Sequence, residues 1–120
     1  MCRVYFYTDE HGSNPVKAHF DELEVAHEQR IRTAIEYLAE VGIAIRRPES
    51  DTVHGPVKEL RVRVGKVQYR ILYFFLSKET AILLHSFVKK TRGIREHDIQ
   101  VSERRMKDFE ERIARGSIKI

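Results

Sequence analysis

The chain has 120 residues, of which 42% are hydrophobic and 33% are charged, with six glycines and three prolines. This composition is typical of one globular domain and excludes collagen-like, low-complexity and wholly disordered chains. No apolar run approaches the roughly 18 residues of a membrane span, and Arg3 with no apolar stretch behind it argues against a signal peptide. The single cysteine, Cys2, excludes an internal disulfide and predicts a cytoplasmic location.

The first half of the chain predicts one strand followed by helices. Residues 3–8 are rich in aromatic and β-branched side chains, which favours a strand. Asn14 followed by Pro15 is a typical helix start, and apolar residues recur at helical spacing from there to about residue 40. The pattern allows either a helical hairpin or one long helix. Residues 46–56 are predicted to form a loop.

The second half predicts three strands and a final helix. Apolar side chains alternate over residues 57–64, 67–76 and 81–88, which is typical of strands joined by hairpins. A basic loop over 89–95 follows, and helical spacing returns over 96–114. We therefore predict a single α+β domain over the whole chain. Its first helices pack on one face of an antiparallel sheet, and its last helix lies at the C-terminus.

Positive charge is concentrated in one segment of the chain. Residues 58–95 contain ten lysines or arginines and two acids, a net charge of +8, so the other 82 residues carry −4 of the total of +4. Such segregation indicates an anionic partner, for which nucleic acid is the commonest candidate. The alternative is a solvated surface strip.

Hairpin geometry predicts which side chains lie opposite each other. The Gly-Lys turn between the first two of these strands places Arg61 opposite Arg70. The loop after Leu76 places that residue opposite Ala81, and it places Arg70 opposite Phe87.

Side chains alternate across a strand, so this register also divides the sheet into two faces. The face that packs on the first helices carries Val62, Val64, Val67, Tyr69, Ile71, Tyr73, Ile82, Leu84 and Val88. The opposite face carries Arg61, Arg63, Gln68, Arg70, His85, Phe87 and Lys89.

The opposition of Arg61 and Arg70 favours an anion-binding surface. Like charges directly opposite each other destabilise a sheet by a few tenths of a kcal/mol. The stability of the fold therefore does not explain why two arginines occupy these positions. The guanidinium group binds phosphate through two parallel hydrogen bonds. Glu59 offers an alternative, in which the group is a self-neutralising surface cluster. Phe87 could stack an unpaired RNA base or pack beneath the last helix.

Three runs of sequence carry a family resemblance. They are KELRVRVGKVQYRILYFF, then ILLHSFVKKT, then a basic loop and a helix containing DIQVSERR. In this order they resemble the RelE/ParE superfamily of toxins from type II toxin–antitoxin systems, and most closely its HigB-like, phage-related branch. The resemblance implies a RelE-like fold and a ribosome-dependent endoribonuclease that cuts mRNA in the ribosomal A site. It also implies an antitoxin partner, usually with a helix-turn-helix DNA-binding fold.

The resemblance also implies which residues act. It places the family's basic strand residues at Arg61 and Arg63, and its acid near the last helix at His97. The predicted catalytic residues are Arg61, Arg70, Lys89 and His97. The predicted RNA-binding residues are Arg63, Gln68, Phe87, Lys90 and Arg92.

The implied chemistry is attack of the ribose 2′-hydroxyl on the adjacent phosphate, without metal. Cations stabilise the charge on the phosphorane, and His97 is suited to the acid or base role because its usual pKa is near neutrality. His85 is the runner-up, and its alternative is a histidine whose hydrogen bonds are satisfied in the core. Glu59 is either a base or the partner of Arg61 in a salt bridge.

Two other functions stay open at this point. One is a ParE-like gyrase poison, which needs no constellation of cations and histidine, and the other is a noncatalytic RNA-binding module. No metal or other cofactor is predicted, since His11, His19 and His27 recur every eight residues, which is not a helical ligand spacing. No membrane partner is predicted either.

Overall fold

The computed structural model describes residues 1–120 as five strands, three α-helices and one short 3-10 helix. The strands are β1 (Arg3–Phe6), β2 (Ser50–His54), β3 (Val57–Val64), β4 (Val67–Ser77) and β5 (Thr80–Val88). The helices are α1 (Pro15–Asp21), α2 (Val25–Val41) and α3 (Glu96–Ala114), and the 3-10 helix Gly42–Ala44 follows α2. None of the helices is long and apolar enough to cross a lipid bilayer.

The helical region before residue 42 consists of two separate helices. The sequence allowed either this arrangement or one long helix. Asn14 caps α1, because its side-chain Oδ1 accepts a hydrogen bond from the Lys17 backbone N–H at 3.1 Å. At the other end of the pair, Gly42 terminates α2 with a φ of 65°, a conformation that favours glycine.

The five strands form one mixed sheet in the order β1-β5-β4-β3-β2. β2 to β5 pair with one another in antiparallel orientation, whereas β1 pairs with β5 in parallel. The predicted antiparallel sheet over residues 57–90 is confirmed for β3 to β5, but the sheet as a whole is mixed because of β1, whose pairing was not predicted. The neighbour of β1 in the sheet is the last strand of the chain, and a tight hairpin cannot join the two.

Both faces of the sheet are covered, at least in part. α1 and α2 pack on one face, where Phe20, Ile31 and Leu38 are buried against β3, β4 and β5, as predicted. α3 packs on one end of the opposite face, where Met106 and Phe109 are buried with apolar residues of β3 to β5. The rest of this second face is left without a covering helix.

The predicted loop over residues 46–56 contains β2, so that prediction is wrong. Ser50–His54 has only one large apolar side chain, Val53, and its pattern alone does not indicate a strand. Pairing with β3 brings Asp51 opposite Glu59. The Ser50 hydroxyl lies 2.6 Å from the Tyr73 hydroxyl, which fixes β2 to the centre of the sheet.

The predicted register is confirmed for β3 against β4 and is wrong over part of β4 against β5. Arg61 lies opposite Arg70, as predicted. The prediction for Leu76 is wrong, because Phe75 and not Leu76 lies opposite Ala81.

The error arises because the β4–β5 pairing shifts register twice. Leu72 lies opposite His85 and Tyr73 opposite Leu83, so Leu84 is an extra residue in β5. Leu76 is the corresponding extra residue in β4, and the two shifts cancel outside this stretch.

The shifts move apolar side chains between the two faces of the sheet. Leu83 packs with α1 and α2, whereas Ile82 and Leu84 pack beneath α3. The prediction that Ile82 and Leu84 face the first helices is therefore wrong. A register shift of one residue moves the following side chains of a strand to the other face. Neither shift was predicted, because no glycine occurs at Leu76 or Leu84 to indicate a bulge.

Candidate nucleic-acid interface

The part of the second sheet face that α3 leaves uncovered is rich in basic side chains. It is called the cationic face below, and it consists of Arg61, Arg63, Gln68, Arg70, Phe87 and Lys89. These are the side chains that alternation assigned to the same surface, with the exception of His85, which lies beneath α3. The structure therefore brings together six of the nine predicted catalytic and RNA-binding residues.

The cationic face is organised as two rows that run across the three strands. In the inner row, Arg61 lies opposite Arg70, and Arg70 lies opposite Phe87. In the outer row, nearer the β3–β4 turn, Arg63 lies opposite Gln68. The Lys89 backbone N–H donates to the Gln68 carbonyl at 2.7 Å, which completes this row.

The inner row is neutralised by a buried acid of β3, two residues before Arg61 and on the same side of the strand. The Glu59 carboxylate lies between both arginines, with its Oε1 2.7 Å from Arg70 Nε and its Oε2 3.4 Å from Arg61 Nη2. The Arg70 Nε–H does not point at Oε1, so the contact is an ion pair and not an aligned hydrogen bond. The alternative in which Glu59 is a salt-bridge partner thus agrees with the geometry.

A second acid joins this network from β2. Asp51 Oδ2 lies 3.3 Å from Arg61 Nη2 and 2.7 Å from Arg47 Nη2. The hydrogen bond from Arg47 is the largest of the causes that lower the pKa of the Asp51 carboxyl below its usual value. Two carboxylates, Glu59 and Asp51, therefore hold three arginines in place.

The outer row, in contrast, has no acid beside it. Arg63 Nε donates to the Gly65 carbonyl at 2.9 Å, and Lys89 Nζ donates to the Thr91 carbonyl at 2.8 Å. Neither side chain forms an ion pair with a carboxylate. The uncompensated positive charge of the face thus lies in the outer row.

The basic loop extends this charge toward the start of α3. Lys90 and Arg92 are exposed and project from the loop after β5. A cleft of about 240 Å³ opens beside them, lined by Phe87, Val88, Lys89, Lys90, Thr91, Gly93, Arg95 and Asp98. An aromatic ring and several cations therefore share one concave surface.

His85 is occupied by contacts within the protein. Its Nε2 lies 2.7 Å from Asp98 Oδ1, and its Nδ1 lies 3.4 Å from Arg105 Nη1. Because arginine can only donate, His85 Nδ1 accepts from Arg105. The ring proton is therefore on Nε2, which donates a hydrogen bond to Asp98. Burial lowers the pKa of His85 despite the contact with Asp98, so the ring is neutral at pH 7. Its ring stacks on Phe87, with 5.3 Å between ring centroids.

His97 lies apart from the cleft. It is exposed in the first turn of α3 and has no hydrogen bond or ion pair, and it does not line the cleft that Arg95 and Asp98 line. The predicted acid is thus close in sequence to the cationic cleft but faces solvent outside it.

The roles of two acids at the site, Asp51 and Asp98, were not predicted. Asp51 and its partner Arg47 both fall in residues 46–56, which were predicted to form a loop. Asp98 follows His97 in the sequence, and its contact with His85 depends on how α3 packs on β5. The one available signal for the Asp51 contact was the alternation of Ser50, Thr52 and His54 with Asp51 and Val53, which is weak without apolar side chains.

A comparison with known protein families finds one that covers most of the chain. Residues 18–107 match the family described as Phage derived protein Gp49-like (DUF891). The chain belongs to this family, whose members are toxin-like proteins related to RelE. No curated protein matches the chain significantly.

Proposed function

We propose that the chain is the toxin of a type II toxin–antitoxin system, with a RelE-like fold, and that it cuts mRNA on the ribosome. The observation that carries the proposal is the outer row. It places Arg63 and Lys89, which have no acidic partner, on a sheet face beside the half-exposed ring of Phe87. Membership of the Gp49-like family supports a toxin and not a general RNA-binding protein. The HigB-like branch remains the resemblance that the sequence motifs indicate.

In this proposal the two rows have different tasks. The outer row binds the RNA backbone, because cations without acidic partners gain most from contact with phosphate. The inner row stabilises the reacting phosphate. The ion pairs of Glu59 and Asp51 fix the guanidinium groups of Arg61 and Arg70 before substrate arrives, which is the arrangement that stabilises developing charge most effectively.

The proposed reaction is an attack within the RNA, and it takes place without metal. The 2′-oxygen attacks the adjacent phosphorus, the bond from phosphorus to the 5′-oxygen breaks, and the products are a 2′,3′-cyclic phosphate and a 5′-hydroxyl. The proton of the 2′-hydroxyl passes to a base, and the leaving 5′-oxygen takes a proton from an acid. His97 is the proposed acid, since both of its ring nitrogens are free. Glu59 has no role in proton transfer here, because its carboxylate is committed to Arg70.

The proposal includes the partners and the location. The substrate is mRNA in the ribosomal A site, and the cognate antitoxin, a helix-turn-helix protein, silences the toxin in the cytoplasm. An antitoxin that covers the cationic face binds through charge attraction, so its complex weakens as salt rises. An affinity that does not depend on salt indicates an apolar contact elsewhere.

A noncatalytic RNA-binding module is the second candidate. It is favoured by the positions of the two histidines, because His85 has both ring nitrogens engaged and His97 lies outside the cleft. Such a module would bind RNA through the same face but would not break the backbone.

Mapping the 5′ ends of cellular mRNA after induction of the chain tests the proposal. We expect new ends within translated regions at a fixed position in the codon, and we expect them to disappear with Lys89→Ala. Lys78→Ala is the matched control, since Lys78 is exposed in the turn between β4 and β5. Growth arrest without new ends would favour the noncatalytic module or the gyrase poison.

A further inference from the structure

A second concave surface lies on the opposite side of β3 from the small cleft beside Lys89. It has a volume of about 690 Å³ and is called the α2–β3 cleft below. One side is the stripe of α2 that carries Arg30, Thr33, Ala34 and Tyr37, and the floor is the buried pair Leu60 and Val62. The cleft bends round the edge of β3 and reaches the cationic face.

This opening exists because β2 is shorter than β3. The pairing of β2 ends where Ser50 lies opposite Leu60, with one further hydrogen bond from the Arg61 N–H to the Glu49 carbonyl at 2.9 Å. Beyond that point, no strand covers the edge of β3. A ligand on the cationic face can therefore continue over this edge into the cleft, past Pro48 and Glu49, which also line it.

The charge at the rim of the cleft matches that of the outer row. Arg30 Nη2 lies 3.4 Å from the Arg63 carbonyl oxygen, so the Arg30 side chain reaches the backbone of Arg63. Neither arginine forms an ion pair with a carboxylate, although Arg32, two residues along α2, pairs with Glu28 at 3.1 Å. Glu49 is the one acid that lines the cleft, and it pairs with neither of them, so two guanidinium groups without a carboxylate partner are available where the cleft meets the cationic face.

The rim also carries an exposed aromatic ring. Tyr37 is 41% exposed, and its hydroxyl has no hydrogen-bond partner in the protein. Gln68 lines the same cleft, and although its Oε1 accepts from Arg70 Nη2 at 3.2 Å, its amide N–H groups have no partner. A stacking surface, free amide donors and two cations occur together, and this is the set of groups that recognises a single-stranded nucleotide.

We propose that the α2–β3 cleft is a nucleotide subsite, in which one unpaired base of the RNA stacks on Tyr37 and Arg30 with Arg63 binds the adjoining phosphate. This proposal rests on the function proposed above, since it extends the path of the same RNA strand. An acidic protein segment is the competing occupant, because it would also satisfy the arginines, but it would gain nothing from an aromatic ring at the rim.

The test is binding of a short, fluorescently labelled single-stranded RNA to the purified chain, measured by anisotropy over a range of salt. Loss of one stacking contact in Tyr37→Ala should weaken binding by about 5- to 150-fold, and Tyr37→Phe should retain most of the affinity. Arg30→Ala should lower the slope of log Kd against log salt by about 0.7, as expected for one lost phosphate contact to a single strand. Arg32→Ala is the matched control on the same helix.

An abasic scan of the RNA makes the test specific for stacking. In the wild type, one abasic position should weaken binding as much as Tyr37→Ala does, and the two changes together should cost no more than either alone. The same variants are compared on mRNA in programmed ribosomes, where Tyr37→Ala should raise KM and leave kcat nearly unchanged.

The outcomes separate this subsite from the proposed function. If Tyr37→Ala and Arg30→Ala bind RNA and cut mRNA like the wild type while Lys89→Ala does neither, the subsite is overturned and the proposed function stands. If the wild type neither binds RNA nor cuts mRNA, both proposals are overturned. A glutamate-rich peptide that contacts Tyr37 in the presence of bound RNA would assign the cleft to a protein segment and overturn the subsite.

Discussion

Arg70, in the inner row of the cationic face, and Glu59 form an ion pair of 2.7 Å, and their exposed fractions are only 8% and 7%. Glu59 lies in β3, and Arg70 lies in the adjacent β4, which is the central strand of the sheet. The Arg70 Nη1 group also donates to the Tyr69 carbonyl at 3.0 Å, so the guanidinium group is fixed on two sides. A residue at the centre of the candidate site is therefore also part of the buried structure.

This pair reverses one expectation from strand pairing. The opposition of Arg61 and Arg70 alone predicts that Arg70→Ala relieves repulsion and leaves stability equal or slightly higher. With Glu59 in place, the same change leaves a buried carboxylate with only the more distant Arg61. We expect Arg70→Ala to lower the free energy of unfolding in urea by about 3–5 kcal/mol.

A double variant separates this charge effect from a general loss of packing. Arg70→Met combined with Glu59→Leu removes both charges and retains volume, and it should recover most of the stability lost in Arg70→Ala. Wild-type stability of Arg70→Ala would contradict the account, because it would mean that Glu59 does not depend on Arg70.

The sequence predicted the architecture where its apolar periodicity was strong. Helical spacing and alternation located α2, α3, β3 and β4 to within a few residues, and the Gly-Lys turn fixed the register of Arg61 with Arg70. It did not predict β2, which lacks apolar alternation, or the parallel pairing of β1. The register shifts at Leu76 and Leu84 were not predictable, because they depend on how β5 packs beneath α3.

For the candidate site, the sequence predicted which side chains share the cationic face, but it did not predict which acids contact them. Counting along the hairpins assembled both rows of the cationic face, since cross-strand neighbours follow from turn length alone. The contact of Asp51 with Arg61 depends on β2, which was not predicted, and that of Asp98 with His85 depends on how α3 packs on β5, so no local pattern indicates them. The division between a neutralised and an uncompensated row could not be predicted for that reason.

The buried His85 predicts a loss of stability in mild acid. Burial is the main cause that lowers its pKa from the usual 6.5. Below pH 6.5, the unfolded chain binds a proton at this position that the folded chain binds only at lower pH, so stability falls as the pH falls through the folded pKa. The free energy of unfolding, measured from pH 7.5 to 5, should fall less steeply in His85→Gln than in the wild type.

A second histidine serves as an internal reference for that experiment. Burial also lowers the pKa of His19, so part of the acid dependence should remain in His85→Gln. An unchanged slope in His85→Gln would show that His85 is not held neutral by burial.

Arg112 should be essential for the attachment of α3 to the segment that follows β1. It is 6% exposed, donates to the Thr8 carbonyl and to Asp108 Oδ2, and lies 5.6 Å from the centre of the Tyr7 ring. Arg112→Ala leaves the Thr8 carbonyl without this partner and removes the cation from the ring. We expect a loss of about 2–4 kcal/mol in urea unfolding.

The exposed Arg115 at the end of α3 is the control for that change. Arg115→Ala should alter stability by no more than about 0.5 kcal/mol. Equal stability of the two variants would mean that α3 is held by its apolar contacts alone.

His97 should affect the reaction and not the fold. Because it is exposed and has no partner, His97→Ala should unfold at the same urea concentration as the wild type. Loss of a general acid should slow mRNA cleavage by about two to four orders of magnitude while binding to ribosomes is retained. If His97→Ala cuts at the wild-type rate, the proton donor is a group of the ribosome and not His97.

The central claim is that the cationic face cuts mRNA, and cleavage of a defined mRNA on programmed ribosomes tests it most directly. The wild type should produce fragments with 5′-hydroxyl ends at the A-site codon, and the same mRNA without ribosomes should stay intact. Lys89→Ala, which keeps the neutralised inner row, should fold normally but lose a phosphate contact of the outer row, so it should bind RNA more weakly and cut about 10- to 150-fold more slowly when the programmed ribosomes are not saturating. Intact mRNA on ribosomes with the wild type, or full activity of Lys89→Ala, would contradict the account.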